Sequence, residues 1–145
     1  MKINVIKLNR YAVLPTRGSD DAVGYDLYAN IEQGNIKIKP NETVGIKTGV
    51  AMEVPVGYGG FIYGRSGLAL KKGLRLANCV GVIDPDYRGE IIVALHNDGE
   101  TEQTIINGDR IAQIVIAPYA ACEFVEADSL SNTVRGSGGF GSTGM

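Results

Sequence analysis

At 145 residues the chain has the size of one domain able to bury a real core, and its 44% apolar and 21% charged residues are an ordinary globular balance. A net charge of -2 and a pI of about 5.4 exclude a general nucleic-acid or membrane-surface binder, so any bound anion must be held by local groups. The longest apolar runs, "IIVAL" at 91–95 and "IVIA" at 114–117, are too short to cross a bilayer.

In chain order, "MKINVIKLNR" alternates polar and apolar residues and lacks the apolar block of a signal peptide, which makes the cytoplasm the expected location. Strands are predicted at 3–8, 35–39, 43–54, 60–64, 90–97, 104–107 and 111–119, each short, rich in β-branched residues and bounded by turn signals. Asp26 sits in a further strand-like stretch, "GYDLYA" at 24–29. Only "RSGLALKK" at 65–72 reads as helix, about two turns long, with Ser66 placed to cap it and Gly73 to end it. The predicted fold is all-β, a jelly-roll-like distorted barrel with one short helix. From about Leu130 onward the composition turns to serine and glycine. The expected division is a barrel over 1–130 and a flexible Gly-rich C-terminal arm over 131–145.

Cys79 and Cys122 have no CxxC spacing and no nearby histidine, so they read as buried free thiols and not as a zinc site. The single histidine, His96, lies in a strand pattern and reads as structural, which leaves no Ser-His or Cys-His engine. The remaining chemistry is carboxylate, hydroxyl and arginine. Four of the seven arginines lie beside or near glycine, in "GRSG" (64–67), "YRGE" (87–90), "GDR" (108–110) and "RGSGG" (135–139). Glycine permits close backbone approach and arginine grips phosphate bidentately, so the set points to a polyphosphate. In "GRSGLA" an arginine and a serine at a helix start suit the same ligand.

"GVIDPDYRGEI" at 81–91 reads as a β-hairpin with Asp84, Asp86 and Tyr87 at its tip. Asp84, adjoining an apolar strand end, is expected to be the more enclosed carboxylate and the better general base. Asp26 needs a partner in its apolar surroundings, either an arginine or a hydrated metal.

In order, "AVGYDLYA" (22–29), "GRSGLA" (64–69), "NCVGVIDPDYRGEI" (78–91), "GDRIAQIV" (108–115) and "RGSGGFGSTG" (135–144) resemble the five motifs of the trimeric dUTPase family. The resemblance spans nearly the whole chain. It departs at Gly64, where the family often has proline, and at the variable Ser137; neither is expected to do chemistry. What the resemblance implies is hydrolysis of dUTP to dUMP and pyrophosphate, which limits uracil incorporation into DNA and supplies dUMP for thymidylate. Asp84 would activate the water that attacks the α-phosphorus. Tyr87 would pack on the deoxyribose. Asn78 and the backbone through Gly81, Val82 and Ile83 would hold uracil. Arg65, Ser66 and Gly67 would hold phosphates, with Gln113 near the α-phosphate, and Asp26 would place the Mg²⁺ complex through water. From the arm, Arg135, Gly141, Ser142 and Thr143 would grip the terminal phosphates and Phe140 would stack on uracil.

The resemblance further implies a homotrimer with shared sites. The reaction asks for in-line positioning and charge neutralisation more than covalent chemistry, which suits this residue set. Two other readings share the scaffold: a dCTP deaminase-like enzyme, which lacks an obvious deaminating glutamate here, and a nucleotide-binding regulatory protein, which the intact Asp84 and arm disfavour.

Overall fold

The computed structural model describes residues 1–140; the expected arm contacts Gly141, Ser142 and Thr143 lie outside the described residues. In chain order the elements are β1 (Asn4–Lys7), β2 (Thr16–Arg17), β3 (Tyr25–Tyr28), β4 (Asn35–Ile38), β5 (Thr43–Lys47), β6 (Val50–Glu53) and β7 (Tyr58–Tyr63). Then follow α1 (Ser66–Lys72), β8 (Leu74–Leu76), β9 (Gly81–Ile83), β10 (Ile92–Asn97), β11 (Gln103–Ile106) and β12 (Arg110–Pro118). The chain is all-β with one short helix, as expected. The jelly-roll-like barrel is distorted into four antiparallel sheets: β2-β3-β12-β7-β9, β5-β10-β8, β1-β6 and β11-β4.

Alternation builds the core. Along β10, Val93, Leu95 and Asn97 point inward while the residues between them face outward. Val93 and Leu95 meet Ile46 of β5, Ile38 of β4 and Ile105 of β11 in one apolar cluster, and the Asn97 amide donates to the Ile38 carbonyl at 2.9 Å. Truncating a buried leucine such as Leu95 in such a core costs about 2–5 kcal/mol.

The long strand expected over 43–54 is two strands. Gly49 takes a left-handed φ of 69°, and the hydroxyl of Thr48 donates to the Ile91 carbonyl at 2.7 Å, which turns the chain from one sheet to another. The helix ends as expected, with Gly73 left-handed at φ 65° and its N–H returned to Ala69. Its start differs. Arg65 is the extended cap residue, no side chain caps the helix, and Ser66 is already helical.

The hairpin expected over 81–91 does not form. β9 pairs with β7, whereas β10 pairs with β5 and β8, so the two arms enter different sheets. The Asp-Pro turn is real, with the Tyr87 N–H donating to the Asp84 carbonyl at 3.2 Å. Partner choice was decided by distant strands. The cysteines are a second correction: both are exposed. Cys79 sits at a left-handed φ of 61° in a tight turn after β8, and Cys122 lies beyond the last strand.

One irregularity shapes the site. β12 pairs with β3 through a register shift between Arg110 and Ala112. Ile111 and Ala112 are both buried in succession, so Arg110 and Gln113 come to share the outer face over Asp26.

Candidate active site

The residues expected to act together divide between two clefts of about 240 Å³ each, and no residue lines both. The first cleft is formed by the end of β9, the turn before it and the Asp-Pro turn after it. Asn78, Gly81, Val82, Ile83, Asp84 and Tyr87 line it, with Glu90 at its side. The side-chain amide of Asn78 lies over Gly81, where a β-carbon would stand 3.4 Å from Nδ2. Asp84 is the first residue past β9 and stands exposed at the rim, as Asp86 does, so the expected enclosure of Asp84 is absent within one chain. Among the described residues no cation pairs with Asp84, and its carboxylate lone pairs are free to accept a proton.

The second cleft collects Asp26 of β3, Arg65, Ser66 and Gly67 at the start of α1, and Arg110 and Gln113 of β12. Asp26 is its centre, with a side chain only 13% exposed. Its Oδ1 meets Arg65 Nε at 2.9 Å and its Oδ2 meets Arg110 Nη1 at 3.2 Å. Of the two partners left open by the sequence, arginine is the one present. One carboxylate between two guanidiniums leaves a local charge of +1, which attracts an anion, and both arginines keep further donors. Gln113 donates to the Gly64 carbonyl at 3.0 Å. Its amide packs onto Gly24, where a β-carbon would come within 3.1 Å of Gln113 Cδ and push the amide aside.

Arg110 is the residue that sequence reasoning passed over. It was grouped with other Arg-Gly pairs but given no place in the site. The available signal was the broken alternation of "RIAQI", where two apolar residues follow each other before Gln113.

The arm residues described, through Phe140, do not line either cleft. Arg135 donates to the Gly138 carbonyl at 2.7 Å, Phe140 is fully exposed, and residues 118–137 are exposed throughout. His96 bridges Thr43 Oγ1 at 2.9 Å and Asp98 Oδ1 at 3.3 Å on the β5-β10 sheet, away from both clefts, as a structural histidine does. A larger cleft, about 570 Å³ between β1, residues 22–25 and β12, is mainly apolar and lined by no carboxylate among the described residues, so size does not identify the chemistry here.

The sequence matches the dUTPase family over residues 10–144, a span that includes the Gly-rich arm. A deoxyuridine 5'-triphosphate nucleotidohydrolase from a Hydrogenobaculum strain is 50% identical over 145 residues, covering 100% of this chain and 99% of the relative. One from Desulfitobacterium hafniense is 49% identical over 146 residues, covering 100% and 96%. Among solved structures, the Staphylococcus bacteriophage 80alpha dUTPase with dUPNHPP superposes with a TM-score of 0.91 at 29% identity, covering 99% of each chain. A mutant phage phi11 dUTPase with a coordinated structural Mg(II) ion has a TM-score of 0.79 at 25% identity, covering 89% of this chain and 98% of that one. The chain belongs to the dUTPase family.

Proposed function

We propose that the protein is a dUTP diphosphatase, hydrolysing dUTP to dUMP and pyrophosphate by attack of water on the α-phosphorus. The observation that carries this reading is the pairing of chemistries in the two clefts. One has an unpaired carboxylate beside a turn of amide groups and an aromatic ring; the other has a net positive seat of two arginines around one carboxylate.

In the first cleft Asn78 and the backbone of 79–83 hold the uracil edge, Tyr87 packs on the deoxyribose, and Asp84 takes the proton of the attacking water. In the second, Arg65, Ser66 and Gly67 hold the phosphates and Gln113 steadies the α-phosphate. The phosphate oxygens gain charge as the P–O bond to the leaving pyrophosphate breaks, and fixed guanidinium donors stabilise that charge where it develops.

Mg²⁺ bound with the triphosphate would screen its charge. Among the described residues no cluster of three His, Cys, Asp or Glu gathers as a protein ligand set. A single carboxylate suits an ion that arrives with phosphate and water ligands of its own, and Asp26 would hold that ion through water.

Base and phosphate seat line separate clefts of one chain, which supports a homotrimer whose sites take Asp84 from one copy and the seat from another. Arg135, Phe140, Gly141, Ser142 and Thr143 then close from the arm. The test is pyrophosphate release from each deoxynucleoside triphosphate and UTP, with Mg²⁺ and with chelator. Release from dUTP alone, lost on chelation, is expected; equal release from all of them, or none from dUTP, overturns the reading.

A further inference from the structure

We infer that Gly89 sets the sugar selectivity of the site by seating the ring of Tyr87, a role that rests on the reading of Tyr87 as the surface under the deoxyribose. The ring folds back over residue 89. A β-carbon built there would come within 2.6 Å of Tyr87 Cζ and 2.9 Å of Cε2, and closer still to the hydroxyl oxygen. Gly89 is not among the residues with positive φ, so its backbone suits any amino acid. The missing side chain is needed for the ring, not for the turn.

The other end of the ring is anchored by the next residue. The Tyr87 hydroxyl donates to the Glu90 carbonyl at 2.9 Å. That carbonyl is in turn held in place, because Glu90 Oε1 accepts the Gly49 N–H at 2.9 Å and the Ile91 N–H donates to Val50 at 2.9 Å. A hole at 89 and an anchor at 90 thus fix the plane of an otherwise exposed ring. Placing a methyl in the hole displaces the ring, because a half-exposed side chain moves more readily than the pinned backbone behind it.

The test is a double-mutant cycle of Gly89→Ala and Tyr87→Ala, read as the ratio of kcat/KM for UTP to that for dUTP. Gly89→Ala is expected to raise the ratio about tenfold, the low end of steric discrimination in a fitted pocket. In the Tyr87→Ala background the same change is expected to have no further effect, since no ring remains to displace. An unchanged ratio in Gly89→Ala, or an equal shift in both backgrounds, overturns the inference.

Should Gly89→Ala fail to fold, recovery of folding in the double variant supports the clash with the ring, and failure of both refutes it. The underlying reading fails separately: a wild-type protein that releases no pyrophosphate from dUTP removes both, whereas an active wild type with an unmoved ratio removes only the role of Gly89.

Discussion

Asp26→Asn separates the two jobs a carboxylate performs between arginines. The substitution keeps the side-chain shape and removes one negative charge from a position 13% exposed, held at 2.9 Å by Arg65 and 3.2 Å by Arg110. Breaking a fully buried pair costs about 3–5 kcal/mol and an exposed one about 0–1. Arg65 is 26% and Arg110 51% exposed, so the loss lies between these limits, at about 2 kcal/mol. For a chain of this size that lowers Tm by roughly 5–8 °C.

Anion binding moves the other way. The local charge rises from +1 to +2, and one unit at about 6 Å in an effective dielectric of about 40 is worth about 1.4 kcal/mol, a tenfold gain in affinity. Metal-free pyrophosphate, titrated calorimetrically in chelator, is therefore expected to bind about tenfold more tightly to Asp26→Asn. Turnover with Mg²⁺ is expected to fall at least about tenfold, because Arg65 loses the partner that aims it. Weaker pyrophosphate binding in the variant would show that the cleft around Asp26 is not where the phosphates sit.

Asp84→Asn should retain dUTP affinity while turnover drops at least about a hundredfold, as measured by pyrophosphate release under saturating substrate; turnover within a few-fold of wild type would sink the base assignment. A chain ending before Thr133 should assemble but hydrolyse dUTP only at background. Refolded with an equal amount of full-length Asp84→Asn, it should recover about a quarter of wild-type activity, since half the sites draw an intact base and half of those an intact arm. Background activity in mixtures shown to contain hybrid trimers would rule out base and arm coming from different chains.

The motifs were legible in sequence because their chemistry is local: a turn of Asp84-Pro85-Asp86, glycines beside arginines, a short helix ended by Gly73. A long alternating strand such as β10 was legible for the same reason, since it carries its own inward and outward faces, and β12 was legible from its run of β-branched residues. β2 and β8, two and three residues long, are too short to carry a period. The supposed hairpin failed on a non-local fact. Nothing in 81–91 says that β9 finds Gly60–Ile62 while β10 finds Thr43–Lys47. Cys79 was misjudged because hydrophobicity predicts burial, whereas a left-handed φ of 61° in a tight turn turns the thiol outward. Arg110 was missed because alternation alone sets it on the face opposite Gln113; the bulge at Ile111 reverses that.

The exposure of Asp84 bears on how the enzyme is built. A general base works best in a fixed site from which bulk water is excluded, and a carboxylate on the rim of a shallow cleft has neither property. The other residues lining its cleft are uncharged apart from Glu90, which already accepts the Gly49 N–H and faces Lys47, while Arg88 on the same turn is turned to the Pro85 carbonyl and Glu53. The positive seat that must oppose the base lies in a cleft with no shared lining. The proposed shared site supplies enclosure and charge from outside the chain: a second copy bringing Arg65, Arg110 and Gln113, and an arm closing over the substrate. If the sites are shared in this way, conditions that dissociate the protein without unfolding it should abolish turnover in proportion to the loss of trimer.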